Sequence, residues 1–302
     1  MTPLVSILCL CYNQATFIRE SLDSIKKQLY TNYEILICDD FSKDNSVEII
    51  EQWISENPTL PITFVKHEEN KGICKSLNEL LSLSRGKYIQ LLALDDLLEE
   101  DKLQRHVSLL ERSKETEALV FSEAHLIDDY SKRYQNKFIA YHHQYLSLES
   151  RNYYHDILMK NFIPAMSTLL KSSIIKEMGG WDETLSYEDY DMWLGLSRDF
   201  DFIFDDKPSC SYRLHASNTH KKKNFTEDSN FDIFIKHKEH PIAKQRLFSI
   251  VKDKYFKRTL KNEHIRYYSI YKDYPSEQYC IKKNISPMTY KIWASVKQVL
   301  GK

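Results

Sequence analysis

The chain has 302 residues, of which 42% are hydrophobic and 28% are charged, and its net charge is -1. This length is sufficient for one large α/β domain with an appendage, or for two modest domains. Its six glycines form neither Gly-x-Gly-x-x-Gly nor Gly-x-x-x-x-Gly-Lys, which argues against a glycine-rich dinucleotide-binding fold and against a P-loop nucleotidase.

The charge is unevenly distributed along the chain. Residues 221–302 contain 19 basic and 8 acidic residues, whereas residues 1–220 contain 23 basic and 35 acidic residues. The six cysteines show no Cys-x-x-Cys spacing, and several lie in apolar runs, so we expect reduced thiols. The first residues lack a basic signal region and no segment is long enough to span a membrane, so we expect a cytoplasmic protein.

Strand and helix patterns alternate through the first part of the chain. Apolar runs predict strands at 5–11, 33–38, 62–65, 87–94 and 118–121, and amphipathic periodicity predicts helices near 17–29, 47–54, 73–81 and 103–110. This alternation predicts an α/β fold with a mostly parallel sheet and right-handed crossovers.

Two of these strands end in acidic pairs, Asp39-Asp40 and Asp95-Asp96. Open α/β sheets bind ligands beyond the carboxyl ends of their parallel strands, which is where both pairs fall. A divalent cation carrying a nucleotide diphosphate would neutralise adjacent carboxylates. The structural alternative is that these acids close turns or cap the helices that follow.

The region from residue 123 to residue 160 has no pattern that assigns its elements. After it, residues 168–171 predict a strand, and a helix at 172–178 ends at the Gly179-Gly180 pair, as a helix C-cap does. Short strands are predicted at 201–204 and 211–214.

A third acidic pair of interest is Glu188-Asp189. Ser186 and Asp189 match a capping box, which predicts that both acids lie in the first turn of a helix. There they would complement the helix dipole without any catalytic role. Alternatively, a carboxylate beside Trp181 and behind two glycines is placed to meet a hydroxyl. His215 follows the last predicted strand and is either a surface residue or a ligand of a metal or diphosphate.

Taken together, these motifs resemble the family 2 inverting glycosyltransferases of bacterial capsule, lipopolysaccharide and wall-polymer synthesis. The resemblance covers residues 4 to about 218 and rests on four blocks: Val5-Ser6-Ile7 with Tyr12-Asn13; Asp39-Asp40-Phe41-Ser42; Asn70-Lys71-Gly72 through Asn78 and Arg85-Gly86-Lys87-Tyr88-Ile89 to Asp95-Asp96; and Gly179-Gly180-Trp181-Asp182-Glu183 with Glu188-Asp189. It implies a GT-A fold, a Rossmann-like sheet flanked by helices.

The resemblance also implies a donor site for a nucleotide sugar, most simply a UDP-sugar. Asp40 would bind the base in a pocket lined by Tyr12, and Lys71 and Gly72 would complete the nucleotide site. Asp95 would reach the ribose or the metal.

In the same resemblance, Asp96 and His215 would hold Mn²⁺ or Mg²⁺ on the diphosphate. Asp189 would be the general base for an acceptor hydroxyl, with Glu188 in support and Trp181 at the glycan or lipid-linked glycan acceptor. Such a base is needed because a sugar hydroxyl is a poor nucleophile.

One position departs from the family. Many relatives carry an Asp two residues before the acidic pair, where this chain has Ala93. A metal there would have fewer protein ligands, and a non-catalytic nucleotide- or sugar-binding protein of the same fold is the alternative.

We expect a catalytic domain at 1–220 and a basic, aromatic-rich helical extension at 221–302. Residues 286–300 predict a basic amphipathic helix, which would contact an anionic membrane, the catalytic domain or a second subunit of a homo-oligomer. Basic and aromatic residues also occur in nucleic-acid binders, but no nucleic-acid motif accompanies them, so we expect no nucleic-acid partner.

Overall fold

The computed structural model describes residues 2–142, 147–215, 225–261 and 285–299, together with residues 264, 281 and 283. The chain divides into two compact units, residues 1–223 and residues 224–302. Within the described residues, no helix has the length and hydropathy needed to cross a membrane.

The first unit contains a nine-stranded sheet with helices between its strands. The strands are β1 Val5–Cys11, β2 Tyr33–Asp39, β3 Ile62–Lys66, β4 Tyr88–Ala93, β5 Leu97–Leu98, β6 Glu117–Ile127, β7 Arg133–Lys137, β8 Leu169–Lys171 and β9 Asp201–Arg213. The helices are α1 Ile18–Lys26, α2 Ser46–Glu56, α3 Ile73–Leu83, α4 Lys102–Glu111, α5 Phe138–His142, α6 Tyr154–Met159, α7 Ser172–Glu177 and α8 Asp189–Asp199, with a 3₁₀ turn at Ala165–Ser167.

The strand order is β3-β2-β1-β4-β8-β6-β9-β5, and β7 pairs with β6. β1 to β4 pair in parallel, and β6 has the same direction because the antiparallel β8 lies between it and β4. β9 is parallel to β6. The predicted α/β architecture with a mostly parallel sheet is therefore confirmed, and the antiparallel members are the short strands β5, β7 and β8.

Helices cover the sheet and bury its apolar runs. β1 and β2 are buried almost throughout, and α1 packs Ile18, Leu22 and Ile25 into the same core. Continuous apolar strands are what a sheet with helices on its faces requires. The described cysteines, Cys9, Cys11, Cys38, Cys74 and Cys210, are buried free thiols, as the sequence predicts for them.

Three local predictions were wrong or incomplete. The region without a pattern contains the end of β6, β7, α5 and α6. The two short strands at 201–204 and 211–214 are one strand, β9, whose pairing with β6 shifts register between Ser122 and Ala124. This irregularity absorbs the charged and proline-containing middle of β9, which interrupts the sequence pattern. Helix α8 begins at Asp189 with Glu188 as N-cap residue, not at a Ser186 capping box.

The second unit contains α9 Phe225–Lys236, α10 Pro241–Lys257 and α11 Pro287–Val299. α10 begins with Pro at its first position and a His240 cap whose Nδ1 accepts the Ile242 N–H at 3.2 Å. α11 matches the predicted amphipathic helix, and its Met288 and Ile292 are 65% and 61% exposed.

One lysine of the first unit is completely buried. Lys102 Nζ lies 3.1 Å from His106 Nδ1 and 3.1 Å from the carbonyl oxygen of Thr168. Burial lowers the pKa of Lys102 to about 7 and the pKa of His106 to about 3. The folded chain therefore favours the neutral form of both side chains.

We expect Lys102 to contribute stability that increases with pH. Between about pH 7 and about pH 9 the unfolded chain keeps Lys102 protonated while the folded chain releases the proton, so Lys102 should add about 2 kcal/mol to the free energy of unfolding, opposed by the buried cysteine thiols, which ionise in the unfolded chain. Lys102→Met should remove this contribution, whereas Lys75→Met, at an exposed position of α3, should retain it. Urea unfolding, followed by the fluorescence of the buried Trp53 and Trp193, measures the free energy of unfolding at each pH. Equal slopes of this free energy against pH in the wild type and Lys102→Met would contradict the prediction.

Candidate functional site

The loops after three parallel strands meet at one edge of the sheet. The Asp40 N–H donates to the carbonyl of Cys11 at 2.9 Å, and β1 also pairs in parallel with β4. Tyr12, Asp40 and Asp95 therefore follow neighbouring strand ends. Tyr12 is 43% exposed, so part of its ring is accessible at this edge.

The carboxylate of Asp40 organises the loop between β3 and α3. Its Oδ1 accepts the Lys71 N–H at 2.8 Å and lies 2.8 Å from His67 Nδ1, and its Oδ2 accepts the Gly72 N–H at 2.9 Å. The Asn70 amide donates to the Asp40 carbonyl at 3.1 Å. Gly72 has a φ of +88°, a conformation that a side chain would strain. The structure thus brings together three residues predicted at the donor nucleotide, Asp40, Lys71 and Gly72.

Asp39, the other acid of this pair, closes a turn. Its Oδ1 accepts the Ser42 N–H at 2.9 Å and its Oδ2 accepts the Ser42 hydroxyl at 2.5 Å. Asp39 therefore closes a turn, which was the structural interpretation of the pair. Asp40 instead faces the loop between β3 and α3 that contains Lys71 and Gly72, which we call the glycine loop.

Asp95 lies beside His215, although 120 residues separate them in the chain. His215 Nε2 is 2.9 Å from Asp95 Oδ2, and the His215 ring packs 5.1 Å from the ring of Phe17. His215 is 7% exposed, so it is not the surface residue of the alternative interpretation.

Asp96 points into the protein instead. It is 2% exposed, and its Oδ1 accepts the Arg213 N–H at 2.9 Å. Burial, and then the neighbouring charge of Asp95, hold the pKa of Asp96 well above its usual range. The metal role predicted for Asp96 remains a prediction, and the side chain that meets His215 is Asp95.

Sequence reasoning missed Arg213, whose guanidinium is completely buried beneath these residues. Its Nε donates to the Asp95 carbonyl at 2.8 Å, and one terminal nitrogen contacts Glu20 Oε2 at 2.7 Å. The other donates to the Asp128 carbonyl at 2.9 Å, and the guanidinium lies 4.6 Å from the centre of the Phe17 ring. A charged residue ending an apolar strand run was the available signal, since a buried arginine requires such partners.

Glu188 and Asp189 lie at the start of α8, as predicted. The Asn161 amide donates to Asp189 Oδ2 at 2.8 Å, and the Tyr190 N–H donates to Asp189 Oδ1 at 2.6 Å. Desolvation raises the pKa of Asp189, and desolvation followed by the charge of Asp189 raises the pKa of Glu188. Asn161 lies directly after the region (residues 123–160) whose elements the sequence did not reveal.

Trp181 is held in the core behind this helix. It is 4% exposed, and its backbone N–H and carbonyl bond the Asn78 side chain, each at 2.8 Å. Gly180 has a φ of +82°, and a Cβ there would collide with Asn78. The acceptor contact predicted for Trp181 remains a prediction. The structure shows a docked turn, and the buried indole Nε1 has no hydrogen-bond partner among the residues that the structure describes.

Desolvation raises the pKa of the Tyr212 phenol first, and the charges of Asp96, Asp95, Asp189 and Glu188 raise it further.

The ligand set for a divalent metal is small. Among the described residues, no three His, Cys, Asp or Glu side chains converge as a metal cluster. Asp95 and His215 offer one carboxylate and one imidazole. Ions such as Mg²⁺ take one or two carboxylates and complete their shell with phosphate oxygens and water. This pair therefore fits a metal that binds together with a diphosphate.

A cavity of about 370 Å³ adjoins His215. It is lined by Asn13, Gln14, Thr16, Phe17, Asp129, Tyr130 and His215.

Comparison with known proteins points to one family. The family model described as Glycosyl transferase family 2 matches residues 6–177, more than half of the chain. An uncharacterized glycosyltransferase of Rickettsia prowazekii is 29% identical over 219 residues, which span 72% of this chain and 66% of that protein. The chain thus covers slightly less than two thirds of this relative.

Solved structures show the same fold. S. aureus TarS in complex with UDP matches with a TM-score of 0.63 at 15% identity, over 92% of this chain and 82% of that one. Mannosyltransferase PcManGT from Pyrobaculum calidifontis, in complex with GDP-Man and Mn²⁺, matches with a TM-score of 0.63 at 17% identity. The match covers 100% of this chain and 88% of that one. The fold is therefore of the GT-A type, as the sequence resemblance predicted.

The Asn161 hydrogen bond should control the acidity of Asp189. Asn161→Ala removes a donor that stabilises the charged carboxylate, so we expect the already raised pKa of Asp189 to rise further. Carbon-13 NMR titration of the Asp189 carboxyl measures this change. Asn32→Ala, which removes an exposed amide bonded to the Thr2 carbonyl, should leave the titration unchanged. A lower Asp189 pKa in Asn161→Ala would contradict the assignment.

Proposed function

The chain belongs to glycosyl transferase family 2, and from this premise we propose that it is an inverting enzyme that moves a sugar from a UDP-sugar to a hydroxyl of a glycan acceptor. The observation that carries the proposal is the contact of Asp95 Oδ2 with His215 Nε2 at 2.9 Å, at the strand-end edge where Asp40 and Tyr12 also lie. Asp95 and His215 at the diphosphate, with Asp189 at the acceptor hydroxyl, would suit a direct displacement. In such a displacement the acceptor hydroxyl attacks the anomeric carbon as the nucleotide diphosphate leaves.

The Asp40 carboxylate supports recognition of a uracil base. An ionised carboxylate only accepts hydrogen bonds and offers about four acceptor positions, of which His67, Lys71 and Gly72 use three. One position remains for a base that presents a single N–H, and uracil presents one at N3. Tyr12, 43% exposed at the same edge, would stack on the base.

Asp95 and His215 are the residues we propose to hold Mn²⁺ or Mg²⁺ on the diphosphate. Their side chains meet at 2.9 Å, whereas the Asp96 carboxylate is turned toward β9. A bound divalent ion would neutralise charge on the departing diphosphate. Asp96 would act indirectly, by fixing the end of β9 from which His215 follows.

Asp189 is the proposed general base. Its Oδ1 already bonds the Tyr190 N–H, and Asn161 orients its Oδ2. As the acceptor oxygen attacks, the carboxylate takes the hydroxyl proton. Desolvation raises the pKa of Asp189 and makes it a stronger base than an exposed Asp. Glu188, whose pKa is raised by burial and by the charge of Asp189, would support it.

The wider biological role extends this proposal. The resemblance favours bacterial surface polysaccharide synthesis in the cytoplasm, with a glycan or lipid-linked acceptor. Exposed Met288, Lys291 and Ile292 on α11 support contact with an anionic membrane surface. Packing of this helix within a homo-oligomer is the alternative.

A non-catalytic binding protein of the same fold is the competing function. Ala93 stands where many relatives have an Asp, which reduces the protein ligands available to a metal. Such a protein would bind the nucleotide without metal-dependent turnover.

Donor hydrolysis tests the proposal. We expect one of a panel of UDP-, GDP- and dTDP-sugars, the UDP-sugar, to release nucleotide with Mn²⁺. Asp95→Ala should lower the rate about 100-fold or more because it removes a metal ligand, and Asp189→Asn should fail chiefly when an acceptor is supplied.

Asp206→Ala, at an exposed position of β9, is the matched control and should keep full activity. Asp96→Ala tests whether Asp96, rather than Asp95, binds the metal. A loss as large as that of Asp95→Ala, with the fold intact, would support the original assignment of Asp96 to the metal. Turnover that does not depend on metal or on Asp95 would contradict the proposed site.

A further inference from the structure

His67 is a buried histidine with a carboxylate at each ring nitrogen. Its Nδ1 lies 2.8 Å from Asp40 Oδ1, and its Nε2 lies 3.0 Å from Glu79 Oε2. The side chain of His67 is 1% exposed, against 10% for Asp40 and 38% for Glu79. The imidazole therefore joins the loop after β2, the end of β3 and helix α3.

Hydrogen-bond chemistry defines the role of the ring. Ionised carboxylates only accept, so both ring nitrogens must donate for both contacts to be satisfied. A ring that donates from both nitrogens would carry one positive charge between the two carboxylates. The other group near the ring is the thiol of Cys38, 3.5 Å from Nε2, which is neutral because burial raises its pKa to about 12.

Glu79 is tied to the same loop a second time. Lys71 Nζ lies 3.3 Å from Glu79 Oε2, the oxygen that also faces His67. Desolvation raises the pKa of Glu79, but hydrogen bonds from His67 and Lys71 outweigh it, and the pKa lies below its usual range. Glu79 therefore remains an acceptor for both donors.

The contact between His67 and Asp40 also affects the glycine loop, because Asp40 bonds that loop. The carboxylate oxygen that contacts His67 also accepts the Lys71 N–H, and the second oxygen accepts the Gly72 N–H. The His67 backbone adds a further tie, because its N–H donates to the Asp39 carbonyl at 3.0 Å. Without the imidazole, the Asp40 side chain would lose the contact that fixes its rotation toward the loop.

We propose that His67 and Glu79 are positioning residues for the donor nucleotide, which orient Asp40 and the Lys71-Gly72 backbone to receive the base. This inference rests on the proposed function, in which Asp40 binds the base. Neither residue contacts the ligand. They act through Asp40, so their loss should raise the donor KM and leave kcat nearly unchanged. A purely structural bridge would lower stability without this KM effect.

Two substitutions and a neighbouring control test the proposal. His67→Asn cannot bridge two carboxylates, and Glu79→Gln removes the outer charge from a partly exposed position, so it preserves the core if His67→Asn does not fold. Glu68→Gln is the control, because Glu68 is exposed and adjacent to His67 in the chain. UDP affinity is measured by calorimetry with EDTA, which excludes metal contributions. Amide exchange of Lys71 and Gly72 is measured by NMR.

We expect His67→Asn to weaken UDP binding about tenfold or more, and Glu79→Gln to weaken it about threefold. The Lys71 and Gly72 amides should exchange faster in both variants. Glu68→Gln should change neither quantity. Unchanged amide exchange in His67→Asn and Glu79→Gln would overturn the proposal, and so would faster exchange with unchanged UDP affinity and unchanged donor KM.

Asp40→Asn separates failure of this inference from failure of the proposed function. If Asp40→Asn loses UDP while His67→Asn and Glu79→Gln bind it normally, the positioning role alone is wrong. If Asp40→Asn binds UDP as the wild type does, the proposed base site is wrong. A folded wild type that binds no nucleotide of the panel overturns both.

Discussion

The buried guanidinium of Arg213 is the constraint on which the arrangement of the site depends. It has no access to water, so its charge must be met by protein groups. The groups that meet it include the Asp95 carbonyl, Glu20, the Asp128 carbonyl, the Ser131 hydroxyl and the face of Phe17. These groups belong to separate parts of the chain, and satisfying one cation fixes them relative to one another. The backbone of Arg213 also bonds Asp96, and His215 follows two residues later. The contacts that satisfy the buried charge of Arg213 therefore also fix the position of the Asp95 and His215 pair.

The two acids of each pair at the sheet edge make different contacts. Both pairs lie where a strand ends and the chain turns, so neighbouring side chains are fixed by different partners. Asp39 closes a turn with Ser42 while Asp40 faces the glycine loop. Asp96 turns inward to β9 while Asp95 meets His215. Each acidic pair at a strand end thus supplies one carboxylate that closes a turn or anchors a strand and another to which we assign a ligand in the proposed function.

Desolvation shifts the pKa values of several buried ionisable side chains of this protein. Burial raises the pKa of Asp189 and Glu188, which suits a base, and lowers the pKa of Lys102 to about 7. Asp40 is also buried, yet its charge is met by the N–H donors of the glycine loop and by His67. Burial of a carboxylate therefore has two outcomes here: Asp189 and Glu188 become more basic, and Asp40 is held as an acceptor by several donors.

The sequence by itself determined the parallel sheet, its helices and the acidic strand ends, because burial imposes short periodic patterns that are local in the chain. It also supported a family resemblance that the comparisons confirmed. It did not divide the roles of Asp95 and Asp96, since that choice depends on side-chain direction and on β9, more than 100 residues away. Asn161 and His67 were missed for the same reason. Single polar residues carry no periodic signal, and only tertiary packing places them against the carboxylates they orient.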